Sequence, residues 1–366
     1  MFSKISRALE SFINDYRIPG NDLVVYHKGE CIFREWRGYS DRERKTPMNG
    51  KERFNLYSSS KIITCTSAMK LYESGAFSLD DPLYLYMPEF RDMSVMTKSG
   101  AVRAKNHIRV RDLFTMTAGF DYSTSSPEIE RAKTATGGRC PTRRVMEYLA
   151  ERPLSFEPGT KWQYSLCHDV LAAFVETVSG QRFGEYVKKN IFDVAGMTRS
   201  TYMLPDEELP TLMAQYKYHD DKRIFEHVGP EIQPYKFGPD YESGGAGCIS
   251  TVDDYIKFLE ALRTGMIIKP ETLLLMRTNQ LTPEIEKTFI DSTPQHVGYG
   301  YGLGCWCSNG TPGCEDFGWT GAAGTTHYIN PELDYSVFYC QHVIAAPNRP
   351  VFNPIRPILR KLLANG

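Results

Sequence analysis

The first forty residues carry two different hydrophobic patterns. Up to Gly20, apolar residues recur at helical spacing with charged residues between them: Ile5, Leu9, Phe12 and Ile13 against Lys4, Arg7, Glu10 and Asp15. This spacing predicts an amphipathic helix. From Asp22 to Asp41 the pattern alternates, is rich in β-branched and aromatic residues, and is interrupted by Lys28-Gly29. The second pattern predicts two strands joined by a tight turn.

Helical spacing dominates the middle of the chain. The pattern predicts a helix from Ser58 to about Tyr86, with Gly75 at a position where a helix would stop. Residues 80–285 contain further amphipathic segments, several of which end at a glycine: VRDLFTM, RRVMEYLAE, HDVLAAFVETVSG, GEYVKKNIFDVAG and TVDDYIKFLEALRTG. We therefore expect a mainly helical region here.

Beyond His296 the pattern returns to strands. Residues 298–307, 316–330 and 334–346 form three aromatic or β-branched runs, and residues 358–366 predict a closing helix. Because isolated sheets of two or three strands are marginally stable, the strands of the two chain ends are expected to form one sheet. The predicted fold is α+β, with an antiparallel sheet of about five strands flanked by N- and C-terminal helices and a large inserted helical domain.

A chain of 366 residues is long enough for two domains of ordinary size. The predicted division is an α/β sheet domain of residues 1–57 plus 290–366 and a mainly helical domain of residues 58–289. The active site is expected in the cleft between them.

Charge and cysteine content exclude several classes of function. Lys and Arg number 43 and Asp and Glu number 44, so the net charge is −1, which disfavours nucleic acids and acidic membranes as partners. No segment approaches the roughly 18–20 uninterrupted apolar residues of a membrane span.

The nine cysteines include no CxxC pair, which indicates reduced thiols, a cytoplasmic location and no metal site. The oligomeric state stays open.

Two Ser-x-x-Lys motifs lie in the predicted helix, Ser58 to Lys61 and Ser67 to Lys70. The spacing puts a hydroxyl and an amine one helical turn apart, where the amine can take the hydroxyl's proton. Ser58 opens the helix, where free backbone N–H groups stabilise an oxyanion. A mid-helix hydroxyl such as that of Ser67 more often bonds the preceding turn. Ser58 is therefore the candidate nucleophile, with a helix N-cap as the alternative.

Two further segments can complete such a site. Tyr164 precedes an amphipathic helix in the segment Lys-Trp-Gln-Tyr-Ser, and a phenol beside a lysine ammonium suits a general base, with ordinary packing as the alternative. Residues 318–322, Gly-Trp-Thr-Gly-Ala, lie on a predicted strand whose glycines let a substrate approach the backbone. The N–H of Ala322 can then pair with that of Ser58 as an oxyanion hole.

Together these segments resemble the serine β-lactamase and penicillin-binding peptidase family, especially its class C-like branch with the family VIII carboxylesterases. That branch carries S-x-x-K, a Y-x-N or Y-S-x element and a K-T-G, H-x-G or W-x-G strand, in the order found here, and the resemblance spans most of residues 50–340. It implies that Ser58 is the acyl-accepting nucleophile, Lys61 its activator and Tyr164 the shared base and proton donor. It also implies an oxyanion hole of the Ser58 and Ala322 amides. Because the sequence contains no H-E-x-x-H, phosphate-binding or dinucleotide-binding motif, we expect no metal or cofactor.

Two departures from the family pattern limit the class of substrate that we expect. Leu166 stands where relatives that recognise penicillin have Asn, and Trp319 stands where they have the Lys of K-T-G. An amide side chain and a cation are thereby lost, which argues against strong β-lactamase activity and favours an apolar or planar acyl or alcohol group. The residues expected to bind substrate are Trp319, Thr320, Gly321, Tyr122 and His168, with core packing as the alternative for the last two.

The sequence thus predicts a serine hydrolase that acts on a small-molecule ester or amide through an acyl-enzyme on Ser58, esterase-like and with at most weak β-lactamase activity. The alternatives within the family are an acyltransferase and a D-amino-acid peptidase. A non-catalytic member that binds a ligand or a partner protein is a further alternative. Retention of all three reactive side chains argues against it.

Overall fold

A computed structural model describes residues 2–229, 233–348 and 352–363. Its strands are β1 (Gly20–His27), β2 (Glu30–Asp41), β3 (Thr46–Pro47), β4 (Arg53–Asn55), β5 (Ser94–Thr97), β6 (Gly100–Arg103), β7 (Gln215–His219), β8 (Ile224–Val228), β9 (Ile249–Thr251), β10 (Tyr299–Tyr301), β11 (Trp306–Ser308), β12 (Phe317–Thr320), β13 (Thr326–Asn330), β14 (Tyr335–Cys340) and β15 (Val343–Ile344). Its helices are α1 (Ser3–Asn14), α2 (Ser60–Glu73), α3 (Val110–Phe114), α4 (Pro127–Ala135), α5 (Thr142–Leu149), α6 (Cys167–Ser179), α7 (Phe183–Val187), α8 (Asp193–Ala195), α9 (Val252–Arg263), α10 (Pro270–Met276), α11 (Pro283–Ser292) and α12 (Phe352–Leu363).

The main sheet has the strand order β10-β11-β12-β13-β14-β1-β2-β3, and neighbouring strands run antiparallel. Near its centre, β1 pairs with β14, so that Asp22 lies opposite Cys340. Strands from the two chain ends therefore share one sheet, and the predicted antiparallel α+β fold is confirmed.

The sheet has eight strands rather than about five. The run at residues 298–307 folds back on itself into β10 and β11, and the run at residues 316–330 does the same to form β12 and β13. The hairpin between β1 and β2 is confirmed. Lys28 has φ 52° and Gly29 has φ 82°, the left-handed conformations that a two-residue turn between twisted strands requires.

Helices from distant parts of the chain pack against this sheet. α1 packs against β1, β2 and α12, with Ile5, Leu9 and Phe12 buried, as its spacing predicted. α9 packs against β1 and β14, although the predicted division assigns it to the helical domain. Residues from the sheet and from the helical region belong to one continuous hydrophobic core.

The helical region differs from its prediction in two places. α2 ends at Glu73 instead of about Tyr86, because Gly75 adopts φ 75° and Pro82 and Pro88 interrupt the following segment. Two short hairpins, β5–β6 and β7–β8, also lie within it. β7 pairs in parallel with β15, so a hairpin from the helical region extends toward the C-terminal strands.

Within residues 2–229, 233–348 and 352–363, no helix is long and apolar enough to cross a membrane. The same residues contain no group of His, Cys, Asp and Glu side chains that could hold a metal ion. All nine cysteines are free, so the fold is held together without disulfides.

Candidate active site

Ser58 lies in a tight turn at the entrance to α2. Residues Tyr57–Ser59 form a single 3-10 turn that leads into the helix. Tyr57 adopts φ 48°, a conformation that costs energy for a bulky residue and persists only where the surroundings impose it. Its buried hydroxyl donates to Gln215 Oε1 at 2.6 Å. The turn presents Ser58 with 8% of its surface exposed, enough for its hydroxyl to meet a substrate.

The three reactive side chains predicted from the sequence lie together. Lys61 Nζ donates to Ser58 Oγ at 3.2 Å and to the carbonyl oxygen of Gly245 at 2.7 Å. Ser58 Oγ also shares a hydrogen bond with Tyr164 Oη. The Lys61 ammonium lies 4.7 Å from the Tyr164 ring centroid, within the range of a cation–π contact. The Ser58 hydroxyl therefore has two groups to which its proton can pass.

β12 ends beside the turn that carries Ser58. The N–H of Gly321 donates to Thr325 O at 2.7 Å, and Thr325 Oγ1 donates to Leu56 O at 2.9 Å. A Cβ on Gly321 would overlap the same Leu56 oxygen, so this approach requires glycine.

The amides predicted to form the oxyanion hole are available for a ligand. Ala322 packs against the small cluster that contains Tyr57. Across the described part of the chain, the N–H groups of Ala322 and Ser58 have no acceptor. This is the condition that backbone donors of an oxyanion hole must meet.

The chain is similar in sequence to known proteins. A sequence model of the Beta-lactamase family matches residues 5–345. The chain belongs to the β-lactamase family. It is 28% identical to esterase EstB of Burkholderia gladioli over 293 residues, which cover 74% of this chain and 72% of EstB. It is 25% identical over 333 residues to ML-236A carboxylate methylbutanoyltransferase mlcH of Penicillium citrinum, covering 83% of this chain and 76% of that protein.

A solved structure agrees with the fold. EstCE1, described as a hydrolase with promiscuous acyltransferase activity, superposes with a TM-score of 0.80 at 26% identity, and the match covers 96% of each chain. Esterases and acyltransferases among these relatives identify the β-lactamase-family chain as an enzyme of the acyl-enzyme type.

An aromatic stack backs the phenol of Tyr164. Its ring lies 5.0 Å from that of Tyr122 and 6.0 Å from that of Trp319, nearly parallel to the latter at 8°. His296 stacks on the far side of Trp319 at 5.5 Å, and burial together with the charge of Arg356 lowers the pKa of His296 to about 4. Trp319 is only 4% exposed. Its ring therefore supports Tyr164 more than it faces a substrate.

The other residues expected to bind substrate differ in their exposure to solvent. Thr320 is exposed at the end of β12, and Gly321 and Tyr122 are partly buried beside Ser58. Burial is the main cause that raises the pKa of Tyr122, followed by the charges of Tyr164 and Asp169, whereas a hydrogen bond with Ser58 lowers it. The Tyr122 phenol is therefore neutral and suited to donating a hydrogen bond.

His168 lies in the core, which favours core packing over substrate contact for this residue. The side chain is fully buried, and its Nε2 lies 3.2 Å from Phe114 O and 3.5 Å from Cys65 Sγ. Burial and the charge of Lys61 lower the pKa of His168 to about 3. Tyr164 lies in an irregular segment before α6, so the predicted helical spacing does not put the two side chains on one face. His168 instead packs against residues of α2 and α3.

Asp169, a buried acid beside the site, is not predicted from the sequence. Its Oδ1 accepts hydrogen bonds from Tyr241 Oη at 2.9 Å and Ser243 Oγ at 2.6 Å. Burial raises its pKa, which the hydrogen bond from Ser243 and the charge of Lys61 lower. One signal was available, since a carboxylate stands within the apolar segment Cys167–Val175, and a buried charge usually has a partner.

Proposed function

We propose that the protein is a serine hydrolase that cleaves small-molecule esters through an acyl-enzyme on Ser58, with Lys61 and Tyr164 as its proton-handling groups. The observation that carries this proposal is the double contact of Ser58 Oγ with Lys61 Nζ and Tyr164 Oη. A nucleophilic hydroxyl needs such a neighbour, because it is weakly reactive without a positioned base. The β-lactamase family of the chain supports the same assignment.

In the acylation step, Ser58 Oγ forms a bond to the ester carbonyl carbon while its proton passes toward Tyr164 and Lys61. The resulting oxyanion accepts hydrogen bonds from the N–H groups of Ser58 and Ala322. The bond between carbon and the alcohol oxygen then breaks, and Tyr164 returns the proton to the leaving alcohol. Water attacks the acyl-enzyme in the reverse sense, releasing the acid and restoring Ser58.

The substrate we propose is a neutral ester rather than a β-lactam or D-peptide. The positions that supply an amide and a cation in penicillin-recognising relatives hold Leu166 and Trp319, both nearly fully buried and neither charged. A substrate carboxylate would therefore lack the counter-charge that Lys of a K-T-G strand offers. Thr320, Gly321 and Tyr122 are the residues we propose to line the substrate site.

Acyl transfer is the second candidate. Two similar proteins are named for it, a methylbutanoyltransferase and a hydrolase with promiscuous acyltransferase activity. The first step is the same, and an alcohol then takes the acyl group from Ser58 instead of water. Chromatography of the products from a short-chain ester or thioester, with and without added alcohols, measures the partition. Transfer as the main product at millimolar alcohol would replace the hydrolase assignment.

The experiment that tests the proposal combines a covalent probe with a substrate panel. Intact-mass spectrometry after a fluorophosphonate probe is expected to show one adduct, on Ser58. Turnover of p-nitrophenyl acetate and butyrate is expected to exceed nitrocefin hydrolysis and release of D-Ala from a model peptide. Equal labelling of the wild type and Ser58→Ala would exclude the nucleophile. Wild-type ester turnover at the uncatalysed background rate, the same as in Lys61→Ala, would favour a non-catalytic binding role.

We also propose a cytoplasmic location. Its support is chemical, because all nine cysteines are free and most are buried, as expected for a protein that folds among reduced thiols. Mass spectrometry of alkylated protein taken directly from cells should find nine modifiable thiols after denaturation. A disulfide-linked pair in that sample would contradict the proposed location.

A further inference from the structure

Asp169 is a charged residue in a position where charge is costly. It lies in the first turn of α6 and is 1% exposed. Its Oδ1 is occupied by Tyr241 and Ser243. A carboxylate buried in this way requires compensation by hydrogen bonds and by a cation. The hydroxyls of Tyr241 and Ser243 supply the hydrogen bonds. Lys61 is the positive charge that lowers the pKa of Asp169.

Gly245 lies between Asp169 and Lys61. A Cβ on this residue would lie 2.5 Å from Asp169 Oδ2 and 3.3 Å from Lys61 Nζ. The two charged groups therefore both lie beside Gly245, Asp169 on α6 and Lys61 on α2. The carbonyl oxygen of Gly245 also accepts the hydrogen bond from Lys61 Nζ. Glycine is needed here, since any side chain would displace one of the two charges.

We propose that Asp169 is a positioning residue for acylation: its buried carboxylate faces the Lys61 ammonium across Gly245 and holds Nζ in line with Ser58 Oγ. The inference rests on the proposed function, because it gives a role to Lys61 as the partner of a nucleophilic serine. Asp169 acts through Lys61 and touches neither Ser58 nor the substrate.

Electrostatics explains why this arrangement matters. Lys61 is fully buried, and opposite charges a few ångströms apart in a protein interior interact far more strongly than in water. The attraction between the two charges lowers the pKa of Asp169 and restricts the direction of the Lys61 side chain. The titratable groups that face Asp169 are Lys61 on α2, Cys167 on α6, and Tyr122, Tyr202 and Tyr241 on loops. Of these, Lys61 is the cation.

The central test is Asp169→Asn, measured as the rate of fluorophosphonate labelling of Ser58 between pH 6 and 10. Asparagine keeps an oxygen acceptor for Tyr241 and Ser243 but removes the charge that faces Lys61. We expect labelling to slow about tenfold and the pH midpoint of its rate to fall by about one unit, because a nearby anion is lost. A purely structural role would lower the rate equally at every pH, without moving the midpoint.

Asp112→Asn is the matched control. Asp112 is another buried acid of the helical region, and it accepts hydrogen bonds from Arg109 N at 2.8 Å and Thr117 Oγ1 at 3.0 Å. Its replacement removes a buried charge of similar environment that has no contact with Lys61. We expect a lower thermal unfolding midpoint and an unchanged pH midpoint of labelling. A shift in this control equal to that of Asp169→Asn would overturn the inference.

Tyr241→Phe keeps the experiment decisive if Asp169→Asn does not fold. It removes one hydrogen bond to Asp169 Oδ1 but keeps the carboxyl group, which then becomes easier to protonate and faces Lys61 with less negative charge. We therefore expect a smaller slowing than in Asp169→Asn and a smaller shift of the pH midpoint in the same downward direction. No change in rate or midpoint would count against the inference. Absence of labelling in the wild type would instead defeat the proposed function, and the two failures are therefore distinguishable.

Discussion

The two Ser-x-x-Lys motifs have the same spacing and very different surroundings. Ser58 lies in the strained turn before α2, where its Oγ contacts Lys61 Nζ and Tyr164 Oη. Nine residues later, Ser67 is fully buried within α2, and its Oγ donates to Ile63 O at 2.8 Å. Lys70 Nζ is directed away and donates to Ile267 O at 3.2 Å.

The difference shows that spacing brings an amine near a hydroxyl but does not make the hydroxyl reactive. A mid-helix serine satisfies its own donor on the preceding turn, whereas Ser58 precedes the regular helix and bonds side chains brought from other segments. The start of the helix also leaves the Ser58 N–H free for an oxyanion. The second motif is therefore an internal control for the first.

Serine replacements should give the largest contrast. Ser58→Ala is expected to abolish probe labelling and to lower ester turnover at least about 10⁴-fold, because the acyl-enzyme cannot form. Ser67→Ala removes only a hydrogen bond to the backbone, so turnover is expected to stay within about twofold of the wild type. Steady-state kinetics and intact mass measure both. Comparable loss in the two variants would show that the first motif holds no special position.

Lysine replacements should separate the motifs by a smaller factor. Lys61→Ala is expected to slow acylation about 10²–10⁴-fold, the usual contribution of a positioned proton-transfer group. Lys70→Ala should leave the acylation rate nearly unchanged, since its ammonium bonds Ile267 O rather than a serine. Stopped-flow measurement of the p-nitrophenol burst reports the acylation rate directly. An intact burst in Lys61→Ala would contradict the assigned role.

Gly321→Ala tests whether the end of β12 completes the site at Ser58. The added Cβ would overlap Leu56 O, which must move Ala322 and its N–H. We expect kcat to fall about 10²-fold, the effect of losing one oxyanion donor. Gly300→Ala on β10 is the control, because its Cβ meets the Asn279 side chain and should cost stability alone. Equal kcat in the wild type and Gly321→Ala would remove Ala322 from the proposed oxyanion hole.

The smallest effect concerns the stability that depends on four buried histidines. Burial lowers the pKa of His168 and His327 to about 3 and that of His296 and His342 to about 4. The unfolded chain binds protons near pH 6.5, whereas the folded protein does not, so stability is present above that pH and is lost as pH falls toward 4.

We expect the thermal unfolding midpoint to decrease by several degrees from pH 7 to pH 5, measured by circular dichroism. His168→Gln should have a lower thermal unfolding midpoint than the wild type at pH 7. Its midpoint should decrease less on acidification, because one group whose protonation is linked to unfolding is gone. His107→Gln, at an exposed histidine, should keep the wild-type pH dependence. A midpoint that is constant or rises on acidification would contradict the lowered pKa values.

Much of the fold was predictable because it depends on local patterns. Alternation around Lys28-Gly29 and the helical spacing of residues 3–14 each predict an element that is present. The number of strands was not predictable in this way, since a run such as residues 316–330 contains two strands whose separation depends on where glycines allow the chain to reverse. Short hairpins such as β5–β6 carry too few residues for a periodic signal.

By itself, the sequence determined which residues are chemically able to act, namely a serine that opens a helix, an amine one turn away, a phenol and a glycine strand. Tertiary structure alone decided which of them meet. In the folded chain, Asp169 and Gly245 lie beside Lys61. His168 lies in the core, and Trp319 is buried against the ring of Tyr164. The physical reason is that periodicity reports which face of an element is buried, whereas the partner of that face depends on packing between segments far apart in the chain.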